Sequence, residues 1–274
     1  MLVARDFFDL KDFEHQELFS QKEAVWTTLG HLKNYLATFF QRSWPLAGIT
    51  GQIDKPLVIY NGEVRDDLKV KAEGSKRAIN VYMKEKKIDG AAVILPGAYL
   101  FDDAIIIGSG TIVEPGALIK GPVVIGNNAE IRQGAYIRGD CLVGNGCIVG
   151  HTTEIKGSIM LDGAKAGHFA YIGDSILGKE VNLGAGTKLA NLKMIPGTVI
   201  VKIDGKRCDT GRRKLGAILG DRTETGCNSV TSPGTLIGPR SVVYPAVAVP
   251  SGYYPSRTSF MPSHDSLRIH TTNP

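Results

Sequence analysis

The sequence predicts a mainly β protein built as a parallel β-helix, with a helical segment ahead of the coil and a basic hairpin loop inserted into it. Aliphatic or aromatic residues recur every six positions at Leu95, Phe101, Ile107, Val113, Ile119, Ile125, Ile131, Ile137, Val143, Val149, Ile155 and Leu161. The pattern resumes at Leu219, Thr225, Thr231, Ile237, Val243 and Val249. The chain also holds 33 glycines in 274 residues, well above the usual share of about 7%. Glycine scattered through an apolar pattern suggests many tight turns rather than long helices.

A period of six gives three short strands per eighteen-residue coil, each joined to the next by a turn. The large residue fills the axis. The fifth residue of a hexad is small (Thr111, Ala117, Ala129, Ala135, Cys141, Cys147, Thr153) and fits the corner. Glycine often follows the large residue, as at Gly108, Gly126, Gly144 and Gly150. Asn127-Asn128 and Asn145-Gly146 supply the special backbone angles that such corners need. Cys141 and Cys147 are therefore expected in the core, not as metal ligands.

Residues 1–45 read as an N-terminal helical segment. Val25, Leu29, Leu32, Leu36 and Phe39 follow helical spacing, Ser20 and Glu23 suggest a capping box, and Pro45 ends the region. The aromatics Phe7, Phe8, Phe13 and Phe19 are expected to pack against the rest of the chain or a second subunit, with His15 and His31 as surface or packing residues. Residues 46–92 read as a mixed connecting arm of one or two strands, including Leu57–Tyr60 before an Asn61-Gly62 turn. The coil spans 93–250 with an insertion at 190–218. Residues 251–274 read as a tail leaving the last coil.

The coil breaks step after Leu161, since the next inward aliphatic by this pattern is Ile172. His168, Tyr171, Asn182 and Asn191 crowd into this stretch. Within the insertion, Thr198–Ile203 alternates like a strand and Asp204-Gly205 reads as a hairpin turn. Lys188 to Lys214 contains eight Lys or Arg against two Asp, a solvated loop or a loop bringing positive charge to a phosphate.

Composition sets the outer bounds. A net charge of +5 allows anionic ligands, but no zinc-finger, RNP-like or helix-turn-helix signal accompanies it, so nucleic acid is not expected. The four cysteines form no CxxC pair, which suits reduced thiols in a cytoplasmic protein. No secretory signal and no membrane-spanning run are expected.

AGHFAYIGDSILGKEVNLGAGTKLANLK, with the later GRRKLGAILGD and TGCNSVTSPGTLIG, resembles the hexapeptide-repeat acyltransferases. Within them it is most similar to the acetyltransferase domain of the bifunctional glucosamine-1-phosphate acetyltransferase/N-acetylglucosamine-1-phosphate uridylyltransferase family, above all its archaeal sugar-1-phosphate members. The resemblance covers roughly residues 93–250. It implies a left-handed β-helix, a homotrimer and acetyl-CoA-dependent N-acetylation of an amino-sugar 1-phosphate on the route to UDP-N-acetylglucosamine, with no metal in the acetyl transfer.

Carried over motif by motif, the resemblance makes His168 the general base and Asn191 a second active-site residue. Arg138 and Lys156 would hold the sugar phosphate, with Tyr171, Asn182 and the loop residue Lys214 also contacting substrate. Ala185 would touch the acetyl donor through its backbone, and Cys227 stands where many relatives place a serine near that donor. The chemistry is coherent on its own terms. An imidazole accepts a proton near neutral pH, fixed cations hold a phosphate, and backbone N–H groups around Gly184-Ala185-Gly186 suit a developing oxyanion. Arg138 and Lys156, eighteen residues apart, belong one coil above the other.

The sequence departs from the family in lacking a Gly-rich nucleotidyltransferase start, so uridylyl transfer is not expected, and residues 245–274 do not match its carboxy-terminal donor-binding arm. Arg257 is a weaker candidate for assisting the donor. Three other readings stand beside the leading one: acyl transfer to a nucleotide-linked sugar, a non-catalytic assembly or regulatory β-helix, and a repeat-type carbonic anhydrase. The last needs three histidines on adjacent faces, whereas only His151 and His168 lie in the repeat.

Overall fold

The computed structural model describes residues 1–75 and 78–262. Its body is a three-sided parallel β-helix. Each coil runs through face I (such as Ile112–Val113), face II (Leu118–Lys120) and face III (Val123–Ile125), in sheets of eleven, nine and eight strands. Strands on one face are mostly parallel and pair with the coil before and after, as in Ile119↔Ile137 and Ile125↔Val143.

The interior is a single apolar column that includes Ile94, Leu100, Val113, Ile119, Ile125, Ile131, Ile137, Val143, Val149, Ile155, Met160, Ala166, Ile172, Leu177 and Leu183. Three residues of the six-fold pattern are thereby corrected. Ile94 and Leu100, not Leu95 and Phe101, face inward, because the next inward residue after Leu100 is Ile107 and that side of the coil is seven residues long. Met160, not Leu161, faces inward, because Val143 pairs with Met160 and the side from Ile155 is five residues long. The coil does not lose its packing rule after Leu161. Ala166 sits in register with Val149 and is fully buried.

Cys141 and Cys147 occupy small corner sites in the core, where burial pushes both thiols up to about 12. At one corner Asn128 (φ 53°) and Gly146 (φ 64°) adopt the left-handed conformation. Their neighbours Asn127 and Asn145 work differently: each side-chain oxygen accepts the N–H one coil below, from Ser109 (2.8 Å) and Asn127 (2.7 Å) respectively.

Face III is covered, and its outward positions show why. Val124, Leu142, Ile159, Ile176, Ile218 and Leu236 form an apolar row that packs against Phe7, Phe8, Phe13, Phe19, Trp26, Leu29, Leu32 and Leu36. The N-terminal aromatics thus bind the chain's own coil. The helical region is shorter than the pattern implies: three 3-10 turns lead to α1 (Thr28–Phe39). The Ser20–Glu23 capping box does not form. Thr27 precedes α1, and Glu23 instead accepts from Thr27 (3.1 Å) and pairs with His31 (3.1 Å).

His15 is buried in this layer, its Nδ1 2.8 Å from the Tyr35 hydroxyl. Burial holds its pKa below the ordinary 6.5, against the pull of Glu14, Asp162 and Glu17. The unfolded chain therefore binds more protons than the folded one once pH drops below about 6.5, and stability falls with acidification there. His15→Gln is expected to flatten that fall in urea midpoints measured between about pH 7 and pH 5. An unchanged slope would show that the proton goes elsewhere.

Residues 46–92 hold more strand than expected. Leu57–Tyr60 and Glu63–Arg65 form the predicted hairpin, and Leu68–Glu73, Ala78–Met83 and Lys86–Ile88 add a three-stranded antiparallel sheet. The chain after 250 is not simply a tail. Gly252–Tyr254 and Ser259–Phe260 continue faces III and I, with Tyr254 and Phe260 packing on the core; residues 263–274 lie outside the described residues. Among the described residues no helix is long and apolar enough to cross a membrane.

Candidate active site

Two neighbouring corners carry the candidate residues. At the corner from face I to face II, His168 ends the strand Lys165–His168, with His151 as its register partner one coil below. The pairings Lys165↔Asn182 and Asn182↔Glu224, extended along the strand, put Ala185 one coil above His168 and Cys227 above Ala185. The backbone ladder agrees: Phe169 N–H donates to the His151 carbonyl (2.7 Å), Gly186 to His168 (3.1 Å) and Asn228 to Ala185 (2.8 Å). His151, His168, Ala185 and Cys227 therefore form one column, rising about 4.8 Å per coil.

The residue after each member turns the corner with positive φ: Thr152 at 49°, Phe169 at 35°, Gly186 at 74° and Asn228 at 57°. An aromatic residue in this region is uncommon and costs on the order of 1–3 kcal/mol. Phe169 thus holds a strained corner directly beside His168. The His168 imidazole is exposed and makes no hydrogen bond among the described residues. His151 differs, with Nδ1 3.0 Å from the Gln133 carbonyl.

The three amides expected around an oxyanion are not equivalent. Gly184 N–H donates to Thr225 O (2.8 Å) and Gly186 N–H to His168 O (3.1 Å), so both are engaged in the ladder. The Ala185 N–H has no acceptor among the described residues. It is the one of the three left available beside the His168 column.

At the corner from face II to face III a second group forms around Asp174. Lys156 Nζ lies 3.0 Å from Asp174 Oδ2, and the same oxygen accepts from Asn191 Nδ2. Tyr171 OH donates to Asn191 Oδ1 at 3.4 Å. Gly173 makes this possible: a Cβ there would lie 2.6 Å from Asn191 Nδ2 and 2.7 Å from the Tyr171 hydroxyl. Arg212, on the inserted loop, has its pKa lowered by burial, with Asp174 acting in the opposite sense. Arg138 stands one coil below Lys156, as its spacing predicts, and pairs with Glu154 at 2.6 Å. The Glu154 contact raises the Arg138 pKa.

The remaining candidates lie apart. Asn182 sits outward on face I between Lys165 and Glu224, three residues before the His168 column. Lys214 bridges Leu192, and the adjacent Leu215 N–H donates to Asn191 O (3.0 Å), so its backbone flanks the Asp174 group while its side chain is exposed. The loop carries the predicted hairpin, Ile200–Ile203 paired with Lys206–Asp209. Among the described residues no three His, Cys, Asp or Glu side chains gather as metal ligands.

Asp174, Gly173, Arg212 and Phe169 are the site residues that sequence reasoning missed. One signal was present: Gly173-Asp174 repeats the corner pair Gly139-Asp140, and both aspartates adopt positive φ (44° and 49°).

Residues 119–226 match the family described as the GMPPB C-terminal domain. The bifunctional sugar-1-phosphate nucleotidylyltransferase/acetyltransferase of Sulfurisphaera tokodaii is 43% identical over 100 residues, 36% of this chain and 25% of that protein. The bifunctional protein GlmU of Methanococcus maripaludis is 45% identical over 94 residues, 34% of this chain and 23% of its own length. That of Methanococcus vannielii is 35% identical over 124 residues, 45% of this chain and 29% of its own. The match thus spans about a quarter of these relatives. The chain carries a hexapeptide-repeat β-helix, similar in sequence to bifunctional sugar-1-phosphate nucleotidylyltransferase/acetyltransferases over about a third of its length.

Proposed function

We propose that this protein is an acetyl-CoA-dependent N-acetyltransferase acting on an amino-sugar 1-phosphate. The observation that carries the reading is the backbone column that sets His168, whose imidazole is exposed, one coil below Ala185, whose amide is unengaged. A substrate amine at His168 loses its proton to the imidazole as its nitrogen attacks the thioester carbonyl. The carbonyl oxygen takes the negative charge, and the Ala185 N–H donates to it. Collapse breaks the C–S bond and the thiolate leaves, taking up the proton that His168 carries. The names of the relatives, which include acetyltransferase and sugar 1-phosphate, support the substrate class.

In this reading Cys227 flanks the donor from the next coil, and Asn182 and Lys214 contact the sugar. Asn191 keeps Tyr171 in place through the Asp174 group, and Arg138 and Lys156 face the phosphate. Their separation along one chain suits a site completed by neighbouring copies in a homotrimer. Thiol release from acetyl-CoA, measured with and without glucosamine 1-phosphate, tests the activity; no stimulation in folded protein would overturn it.

One observation favours a non-catalytic β-helix instead: Lys156 and Arg138 are already paired with Asp174 and Glu154. Asp174→Ala separates the readings. If the group serves catalysis, Lys156 and Asn191 lose a shared anchor, and kcat/KM should fall at least about tenfold, about 1.4 kcal/mol of barrier. An unchanged rate, or no rate in either form, would favour the non-catalytic reading.

A further inference from the structure

We propose that the corner from face III to face I is a second binding site, for a small molecule bearing a diphosphate group. A cleft of about 450 Å³ opens there between the coil and the N-terminal segment, lined by the cations Arg5, Lys179, Arg222 and Arg240 and by the carboxylates Asp9 and Asp221. That volume falls in the range of small-molecule sites, about 300–1,000 Å³. The corner is not the one that holds His168, nor the one that holds Asp174.

The arginines are the telling feature. Arg222, Arg240 and Arg257 occupy the same corner position in three successive coils, their N–H groups donating at 2.8 Å to Lys179, Asp221 and Pro239. Their φ values are 57°, 58° and 62°. Left-handed corners favour glycine and asparagine; earlier coils place Gly110, Asn128, Gly146 and Gly163 at this position, and the coil directly before Arg222 places Glu180 (φ 57°) there. Three stacked arginines go against both the backbone preference and their mutual repulsion, and Glu180 offsets only the first of them. Arg222 is paired with Glu180 at 2.8 Å. Arg240 and Arg257 have no acidic partner among the described residues.

The facing wall is built, not loose. Asp221 N–H donates to Phe7 O (3.0 Å), and the Asp221 carboxylate accepts from the backbone of Asp9 and Lys179 (both 2.8 Å). Of the two carboxylates in the cleft, Asp221 is thus committed to anchoring the N-terminal segment and Asp9 accepts from the Lys11 N–H (3.3 Å), so the four cations outnumber them and set the ligand's charge. A guanidinium fork takes two phosphate oxygens at once, and rungs about 4.8 Å apart suit adjacent phosphates.

Calorimetric titration of the full chain with ADP, inorganic pyrophosphate, AMP and coenzyme A tests the site. ADP and pyrophosphate are expected to bind, with AMP at least tenfold weaker. Arg240→Asn, which keeps a residue suited to the corner, and Arg5→Gln on the opposite wall should each weaken ADP binding at least tenfold. His168→Ala should leave it unchanged, which separates this site from the proposed acetyl transfer. Displacement of ADP by coenzyme A would identify the donor's own diphosphate as the ligand, and its failure to displace would assign a separate diphosphate ligand. Absence of ADP and pyrophosphate binding at millimolar concentration, or native affinity in folded Arg240→Asn and Arg5→Gln, would overturn the proposal.

Discussion

Replacing His168 with alanine is expected to lower kcat for acetyl transfer about 10²- to 10⁴-fold, the usual share of a general base. Stability should barely change, by no more than about 0.5 kcal/mol, because the imidazole is exposed and bonds to no described residue. The substitution removes a proton acceptor without opening a cavity. His151→Ala is the matched control: it has the same column position one coil below, but its ring lies against the Gln133 carbonyl. Steady-state rates of both variants, beside thermal melts, would separate chemistry from packing. Equal losses in the two, or a large loss of stability in His168→Ala, would sink the assignment.

The second large effect is expected on stability. Phe7 is fully buried between Phe8 and Tyr253, each ring centroid 5.9 Å away. Phe7→Ala should cost roughly 3–5 kcal/mol, the range for emptying a buried aromatic site. The loss should be local, because repeat proteins unfold in units coupled only to their neighbours. Trp26 lies in the same layer and reports on it. Its emission is expected to change at lower denaturant in Phe7→Ala while the far-ultraviolet signal of the coil persists. A Trp26 transition at the native midpoint would mean that face III does not hold this segment.

The coil itself was readable because burial repeats. Every sixth residue sees the same axis, so a single sequence carries many copies of one packing constraint. The errors of register come from the same source. At Ile94-Leu95, Leu100-Phe101 and Met160-Leu161 two apolar residues are adjacent, and a fixed period cannot say which turns inward when a side is five or seven residues long. Hydrogen bonding to the next coil decides it, as Val143↔Met160 does. Face III had a further trace in the sequence. Its strands are apolar at inward and outward positions alike, as in Val123–Ile125 and Ala217–Leu219, the mark of a sheet buried on both sides.

The site was legible by motif but not by contact. The spacing of Arg138 and Lys156 predicted their stacking, and the structure has it. It did not predict that each would hold a carboxylate, because Glu154 and Asp174 reach them from across a rung or around a corner. Nor did it separate the Ala185 amide from its neighbours, since an N–H is left over only when the ladder has claimed the others.

By itself, then, the sequence determined the parallel coil, its small-residue corners, the inserted hairpin and the residues worth watching. These depend on local backbone angles and on a burial pattern repeated along the chain. Only the tertiary structure decided that His168, Ala185 and Cys227 share a column, that Asp174 gathers Lys156 and Asn191, and that the first forty residues cover face III. Those facts depend on cross-coil register and on contacts between segments far apart in sequence, and a period of six encodes neither.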